Sequence, residues 1–460
     1  MRILLALCLM LTQLSLAAAP LEGEAAAAHV LNRLAYGPRP GDVARVAGMG
    51  VQRYVDEQLN PQALQLPPAL DERLRALSTQ QEAAGVTLAR FLDARKAGGE
   101  MQRSVNAQLG AEAAEARVLR AVDSPRQLEE VMTEFWFNHF NVFAGKGEVR
   151  ALAASFERDA IRPHVFGRFR DLLGATAHHP AMLFYLDNWL SKAGGLNENY
   201  ARELMELHTL GVDGGYTQRD VTELARMVTG WTFRPQKLAR DGELFYFDPK
   251  RHDQGDKTWL GKPVEGRGKA DSMREGEIAL DILAMHPSTA RHVSTKLARH
   301  FVRDVPPPAL VERMTRTWML SDGDIRAGLR TLFASPEFLD AGVAGAKFKT
   351  PYQYVVSAAR AAAVTPDVKR MAGALARLGM PVYGCQTPDG YDDTQEAWLN
   401  PDALGIRIGI AATLGKEADA QVLEQALGTL LSPRTRDLAA AGPPKLRAAL
   451  LLGSPDFMQR

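Results

Sequence analysis

The sequence predicts a mainly α-helical protein, a multi-helix globular chain built from αα-hairpins with one small inserted β-hairpin. Three observations carry this. Apolar residues recur at i, i+3, i+4 and i+7 through most of the chain beyond residue 120. Helix start and stop signals punctuate those segments, among them Pro180, the Thr217/Asp220 pair, Gly230 and Pro287. Between 243 and 262 the period changes to short aromatic and β-branched runs separated by turn residues. A hydrophobic content of 46% is ample for one large helical domain over 20–460. No fixed-period repeat indicates a solenoid.

The chain opens MRILLALCLMLTQLSLAAAP. Arg2 is a minimal positive start, 3–16 an apolar run, and Ala17, Ala18 and Ala19 a small-residue cleavage zone. This predicts a signal peptide over 1–19 and an exported product, periplasmic or secreted. The run is short for a membrane span, and no twin arginine precedes it. No transmembrane segment is expected after cleavage. The cysteines are Cys8 and Cys385, so cleavage leaves Cys385 alone, without an internal disulfide or a multi-cysteine zinc site. Lys and Arg number 55 against 54 Asp and Glu, and loss of Arg2 balances them. A neutral mature chain has no electrostatic footprint for nucleic acid.

Residues 24–60 read as short helices split by Gly37-Pro38-Arg39-Pro40. The stretch 61–122 is rich in Ala, Gln, Arg and Glu, with a weaker apolar pattern. It is expected to form exposed helices with a mobile connection near Gly98 and Gly99. Ser124-Pro125 then supplies an N-cap and a first-turn proline. Leu128, Val131, Met132, Phe135 and His139 follow as one stripe, with Glu134, Asn138 and Asn141 on the neighbouring edge. His139 reads either as a satisfied core histidine or as a ligand. His178 and His179 before Pro180 mark a joint between helices.

The densest polar constellation lies in 197–232, NENYARELMELHTLGVDGGYTQRDVTELARMVTGWT. At about 100° per residue, Tyr200, Leu204 and Leu207 form the buried stripe of its first helix. Glu203 projects between Leu207 and Leu210, His208 between Leu204 and Ala201, and Asn199, Glu203 and Glu206 stack along one edge. Arg202 can reach Glu206. The wheel therefore places Glu203 in an apolar rim, buried with Asn199 and a cation, either Arg202 or Lys296. The alternative is a solvated ion pair beside a core histidine. Thr217 and Asp220 form a capping box for the second helix, whose core face is Val221, Leu224, Ala225 and Val228.

In 243–262, Phe245-Tyr246-Phe247 and Thr258-Trp259-Leu260 are the expected strands, with His252-Asp253 near the tip and Lys257 on the return. A His-Asp pair on a loop suits metal ligation or acid–base work, and equally ordinary turn chemistry. Helices resume near Glu275. One of them carries Val293, Leu297 and Phe301 on its core face, flanked by Lys296 and His300. The stretch 384–391 is a long turn-rich loop of the kind that carries function. Leu- and Ala-rich helices finish the chain.

Six stretches together resemble the bacterial family DUF1800, a domain of unknown function. They are HVLNRLAYGP (29–38), FWFNHFNV (135–142), the run from HPAMLFYLDN (179–188) through YTQRDVTELARMVTGWT, HDQGDKTWLG (252–261), HPSTARHVSTKLARHFV (286–302) and TPDGYDDTQEAWLNP (387–401). The resemblance covers most of the chain in order. It implies an exported, mainly helical protein and no reaction. Such proteins are often encoded beside an exported sulfatase-like family, which the resemblance implies as a partner.

Two functions stay open. In one, Glu203 or Glu206 is a general base or metal ligand, with His208, His139, His252 and Asp253 converging on one pocket. In the other, the protein is a scaffold for an exported protein or envelope component, and the cluster around Asn199 and Arg202 fixes how helices meet. The absence of H-E-x-x-H, G-x-S-x-G and paired Glu-x-x-His motifs favours the scaffold. The residues identify no cofactor or metal.

Overall fold

The computed structural model describes residues 19–460, with Lys269 and Ala270 described by backbone alone. Residues 1–18 of the expected signal peptide, Cys8 among them, lie outside the described residues. Helix follows helix from Gly23–Leu34 to Pro455–Met458, and the only strands among the described residues form two small antiparallel pairs. The chain is mainly α-helical, as its periodicity predicts.

The central element is the helix Gln127–His139, in which every residue except Asn138 is buried. A helix apolar on one stripe alone would leave its other face in water. Here the other face is polar and buried too, and Glu130 on it is paired. Glu130 takes a two-pronged contact from Arg162, 2.9 Å at each oxygen, and Arg162 also reaches Glu157 at 3.3 Å. Tyr383 donates its hydroxyl to Glu157 at 2.9 Å. On the apolar side, Trp136 packs against Phe140 and Phe169 and donates its indole N–H to Val165 O.

Capping follows the local signals closely. Thr217 and Asp220 form the expected box. His179 and His286, each before a proline, accept a backbone N–H through Nδ1 at 3.1 Å, so each imidazole caps its helix as an acceptor. Ser124 does not start the central helix. Its Oγ accepts from Arg126 N, and the helix begins at Gln127.

Helices Ala84–Ala97 and Gly99–Asp123 meet at Gly98 and Gly99, with φ of 66° and 52°. They bury Leu88, Phe91, Val118 and Leu119, a fuller inner face than the weak apolar pattern of 61–122 suggests.

The β region corrects the expected pairing. Trp231–Thr232 pairs with Tyr246–Phe247, and Lys257–Trp259 with Lys262–Val264, so the two aromatic runs are not partners. Leu260 and Gly261 both have positive φ (49° and 72°), which makes the tight two-residue turn that folds the second strand back on itself. In the first pair, Gly230 lets the chain approach Asp248 O, which a Cβ would meet at 2.6 Å.

Candidate functional site

A half-open cleft of about 210 Å3 lies where the central helix, the helix Pro287–Phe301 and the loop 384–393 meet. Helical spacing sets two of its walls. Glu134 and Asn138 stand one turn apart on the central helix. Lys296 and His300 stand one turn apart on the other, with Arg299 beside them. The loop supplies Asp389, Asp392 and Asp393. It is clasped by Asn138, whose Nδ2 donates to Tyr391 O at 2.8 Å and whose Oδ1 accepts from Tyr391 N at 2.7 Å.

His300 is the best-positioned ionisable group. Its Nδ1 donates to Asp393 Oδ2 at 2.7 Å, which fixes the tautomer and leaves Nε2 as the free nitrogen. Burial lowers its pKa to about 4, against the pull of Asp393, so the ring is neutral at pH 7. Burial works against the Asp393 carboxylate as well. His300, Lys347 at 3.4 Å and Arg460 at 3.6 Å outweigh it and hold Asp393 ionised.

Glu134 has the opposite tuning. Burial raises it to about 7, only partly offset by Arg117, and Oε2 has no hydrogen-bond partner. Lys296 is lowered to about 8 by burial and by Arg299. The residue as a whole is half-buried, lines the cleft, and has its charge largely desolvated. His139 donates Nε2 to His208 O at 3.1 Å and keeps Nδ1 unpartnered. Three buried polar atoms of cleft-lining residues therefore lack partners, Glu134 Oε2, His139 Nδ1 and His300 Nε2, while Asp393 Oδ1 has only its ion-pair contacts. Such atoms carry a desolvation cost that a bound group can relieve.

Of the candidate site residues read from the sequence, His139 and Lys296 line this cleft. His208 packs behind His139, with ring centroids 6.1 Å apart. The helix that carries Glu203 ends at Glu206, so the projection through Leu207 and Leu210 fails there. Met205 is buried in place of Leu207. Glu203 is half-buried, and its carboxylate makes no hydrogen bond or ion pair among the described residues. The expected pairing with Asn199 and a cation is thus not formed. Burial first, then Glu206, raises the Glu203 pKa. Glu206 likewise has no such partner. Asn199 is exposed, and Arg202 turns from Glu206 to Glu198 at 3.4 Å and Gln218 at 2.8 Å.

His252 and Asp253 are not brought to the cleft. His252 donates Nδ1 to Thr229 O at 2.8 Å, and its Nε2 lies 3.3 Å from Glu275, which Lys257 meets at 2.6 Å. These three side chains have no solvent exposure, so the cluster is closed to substrate. Asp253 is held by Arg226 at 2.9 and 3.0 Å. The Arg226 hydrogen bonds lower its pKa.

Sequence reasoning passed over Glu134, His300 and Asp393 as site residues. The available signal was the four-residue spacing of His292, Lys296 and His300, together with acidic residues in the turn-rich loop. Among the described residues no group of three or more His, Cys, Asp or Glu side chains is arranged to hold a metal ion, and no helix is long and apolar enough to cross a membrane.

The description "Protein of unknown function (DUF1800)" matches residues 29–459, nearly the whole chain. The chain belongs to the DUF1800 family. No curated protein and no solved structure matches it.

Proposed function

We propose that this family member is an exported acid–base enzyme that hydrolyses an ester-type bond in the cleft, with His300 as general base and Glu134 as general acid. The observation that supports this most is the inverted tuning of two groups on one cavity. With His300 lowered to about 4 and Glu134 raised to about 7, the base is free and the acid carries its proton between those values. Asp393 is a positioning residue that holds the imidazole in the tautomer with Nε2 free.

The step balances simply. His300 Nε2 takes a proton from water as the water oxygen bonds to the ester carbonyl carbon. As the carbon–oxygen bond to the leaving group breaks, Glu134 gives that oxygen its proton. Proton exchange with solvent restores both groups. The cleft is smaller than most ligand pockets, which suits a small acyl or head group. The leader-like start of the sequence supports export, and the scaffold reading finds support in the closed Lys257–Glu275–His252 cluster, which fixes helix packing.

Hydrolysis of p-nitrophenyl acetate by the purified protein tests the reading. His300→Gln should abolish enzymatic release of p-nitrophenol while the melting temperature stays near that of the parent. Equal rates for parent and variant would overturn the proposal.

A further inference from the structure

We infer that the Lys296–Arg299 side of the cleft is an oxyanion subsite, so that the molecule bound there carries a carboxylate or a phosphate next to the position served by His300. This rests on the cleft being the working site and adds the substrate class. Lys296 and Arg299 are three residues apart on one helix, and both line the cavity. Neither forms an ion pair among the described residues. Lys296 makes no hydrogen bond there either, and Arg299 spends only Nε, on Asp304 O at 3.1 Å.

The acids of the cleft do not satisfy these two cations. Asp393 is already engaged by His300, Lys347 and Arg460. Burial leaves Glu134 protonated over much of the acid range. Asp389 and Asp392 are exposed on the loop. Their charges favour the Lys296 ammonium, but neither forms an ion pair with it or with Arg299 among the described residues, and burial still outweighs them. A desolvated ammonium without a counter-ion is costly, and burial has already lowered Lys296 to about 8. An incoming oxyanion removes that cost and gains charge-assisted hydrogen bonds from both side chains. A carboxylate and a phosphate share this chemistry, and the cavity of about 210 Å3 accepts either on a small molecule.

The test measures thermal stabilisation and calorimetric binding of the whole protein with sodium phosphate, sodium acetate and neutral acetamide, at pH 6 and constant ionic strength. Saturable stabilisation by phosphate or acetate, absent with acetamide, is expected, and the tighter anion identifies the natural group. Lys296→Met should weaken that binding at least tenfold, with partial recovery in Lys296→Arg. No saturable response to either anion, or an equal response in parent and Lys296→Met, would overturn the inference. His300→Gln should lose hydrolysis yet keep anion binding. Loss of the subsite and failure of the acid–base proposal are thereby read separately.

Discussion

Asn138 and Tyr391 hold each other in both directions, 2.8 Å from Asn138 Nδ2 to Tyr391 O and 2.7 Å from Tyr391 N to Asn138 Oδ1. An amide side chain thus completes the backbone bonding of a loop that has no secondary structure at that point. The neighbouring Gly390 has φ +80°, and a Cβ there would meet Asn138 O at 2.2 Å. Gly390→Ala should cost about 1–3 kcal/mol from left-handed strain alone, and more from the clash. Asn138→Asp keeps the acceptor and loses the donor, so a milder loss is expected. Urea melts of both variants check the order.

The tuning of Glu134 makes stability depend on pH with a definite sign. Its folded pKa, about 7, lies above the ordinary 4.5, so the folded state favours the proton. The contribution is fully favourable below 4.5 and is lost as pH rises through 7. Glu134→Gln should therefore be more stable than the parent at pH 8, by roughly 3 kcal/mol for a shift of this size, and no more stable at pH 4. Paired denaturant melts at the two pH values test this.

Asp393 has the reverse sign. Its pKa is held below the ordinary value, chiefly by His300, Lys347 and Arg460 acting against burial. Its contribution is present above 3.8 and lost only in strongly acid solution. Asp393→Asn leaves Lys347 and Arg460 without their shared counter-ion and His300 without its acceptor, and should cost about 3–5 kcal/mol at pH 7. The variant's melting temperature gives the loss directly.

Catalysis should show both limbs of the inverted pair. For an unactivated ester such as ethyl acetate, the rate should rise through about 4 as His300 loses its proton and fall through about 7 as Glu134 loses its own. For p-nitrophenyl acetate, whose leaving group needs no proton, the upper limb should vanish. A profile flat from 4 to 8 with both esters would contradict the assignment.

Two carboxylates that look alike in sequence should behave differently. Glu275 sits fully buried with Lys257 at 2.6 Å, and Lys257→Met should cost about 3–5 kcal/mol by stranding it. Glu203 is half-buried without a partner, so Glu203→Gln should change stability by at most ~1 kcal/mol. Chemical denaturation of the two variants separates the cases.

Local chemistry was legible in the sequence. The helix periodicity, the Thr217/Asp220 box, the prolines at helix starts and the family resemblance all depend on residues within a few positions of one another, or on a pattern kept over the whole chain. Such signals bias the backbone before any tertiary contact forms. The same locality explains where the reading failed. Extending the wheel past Glu206 assumed a helix that the chain does not continue, so the pairing expected for Glu203 vanished with it.

The site depended on the tertiary structure. His300 and Asp393 are 93 residues apart, and nothing near either one requires the other. Glu134 carries the same carboxylate as its neighbours Glu129 and Glu130. Only packing gives Glu130 an arginine and leaves Glu134 facing a cleft without a direct ion pair. The sequence by itself determined which segments are helical and, at Pro180, Thr217 and Pro287, where they start. Folding decided which charges are desolvated and which meet a partner, because burial and Coulomb energy depend on distances in space that residue order does not contain.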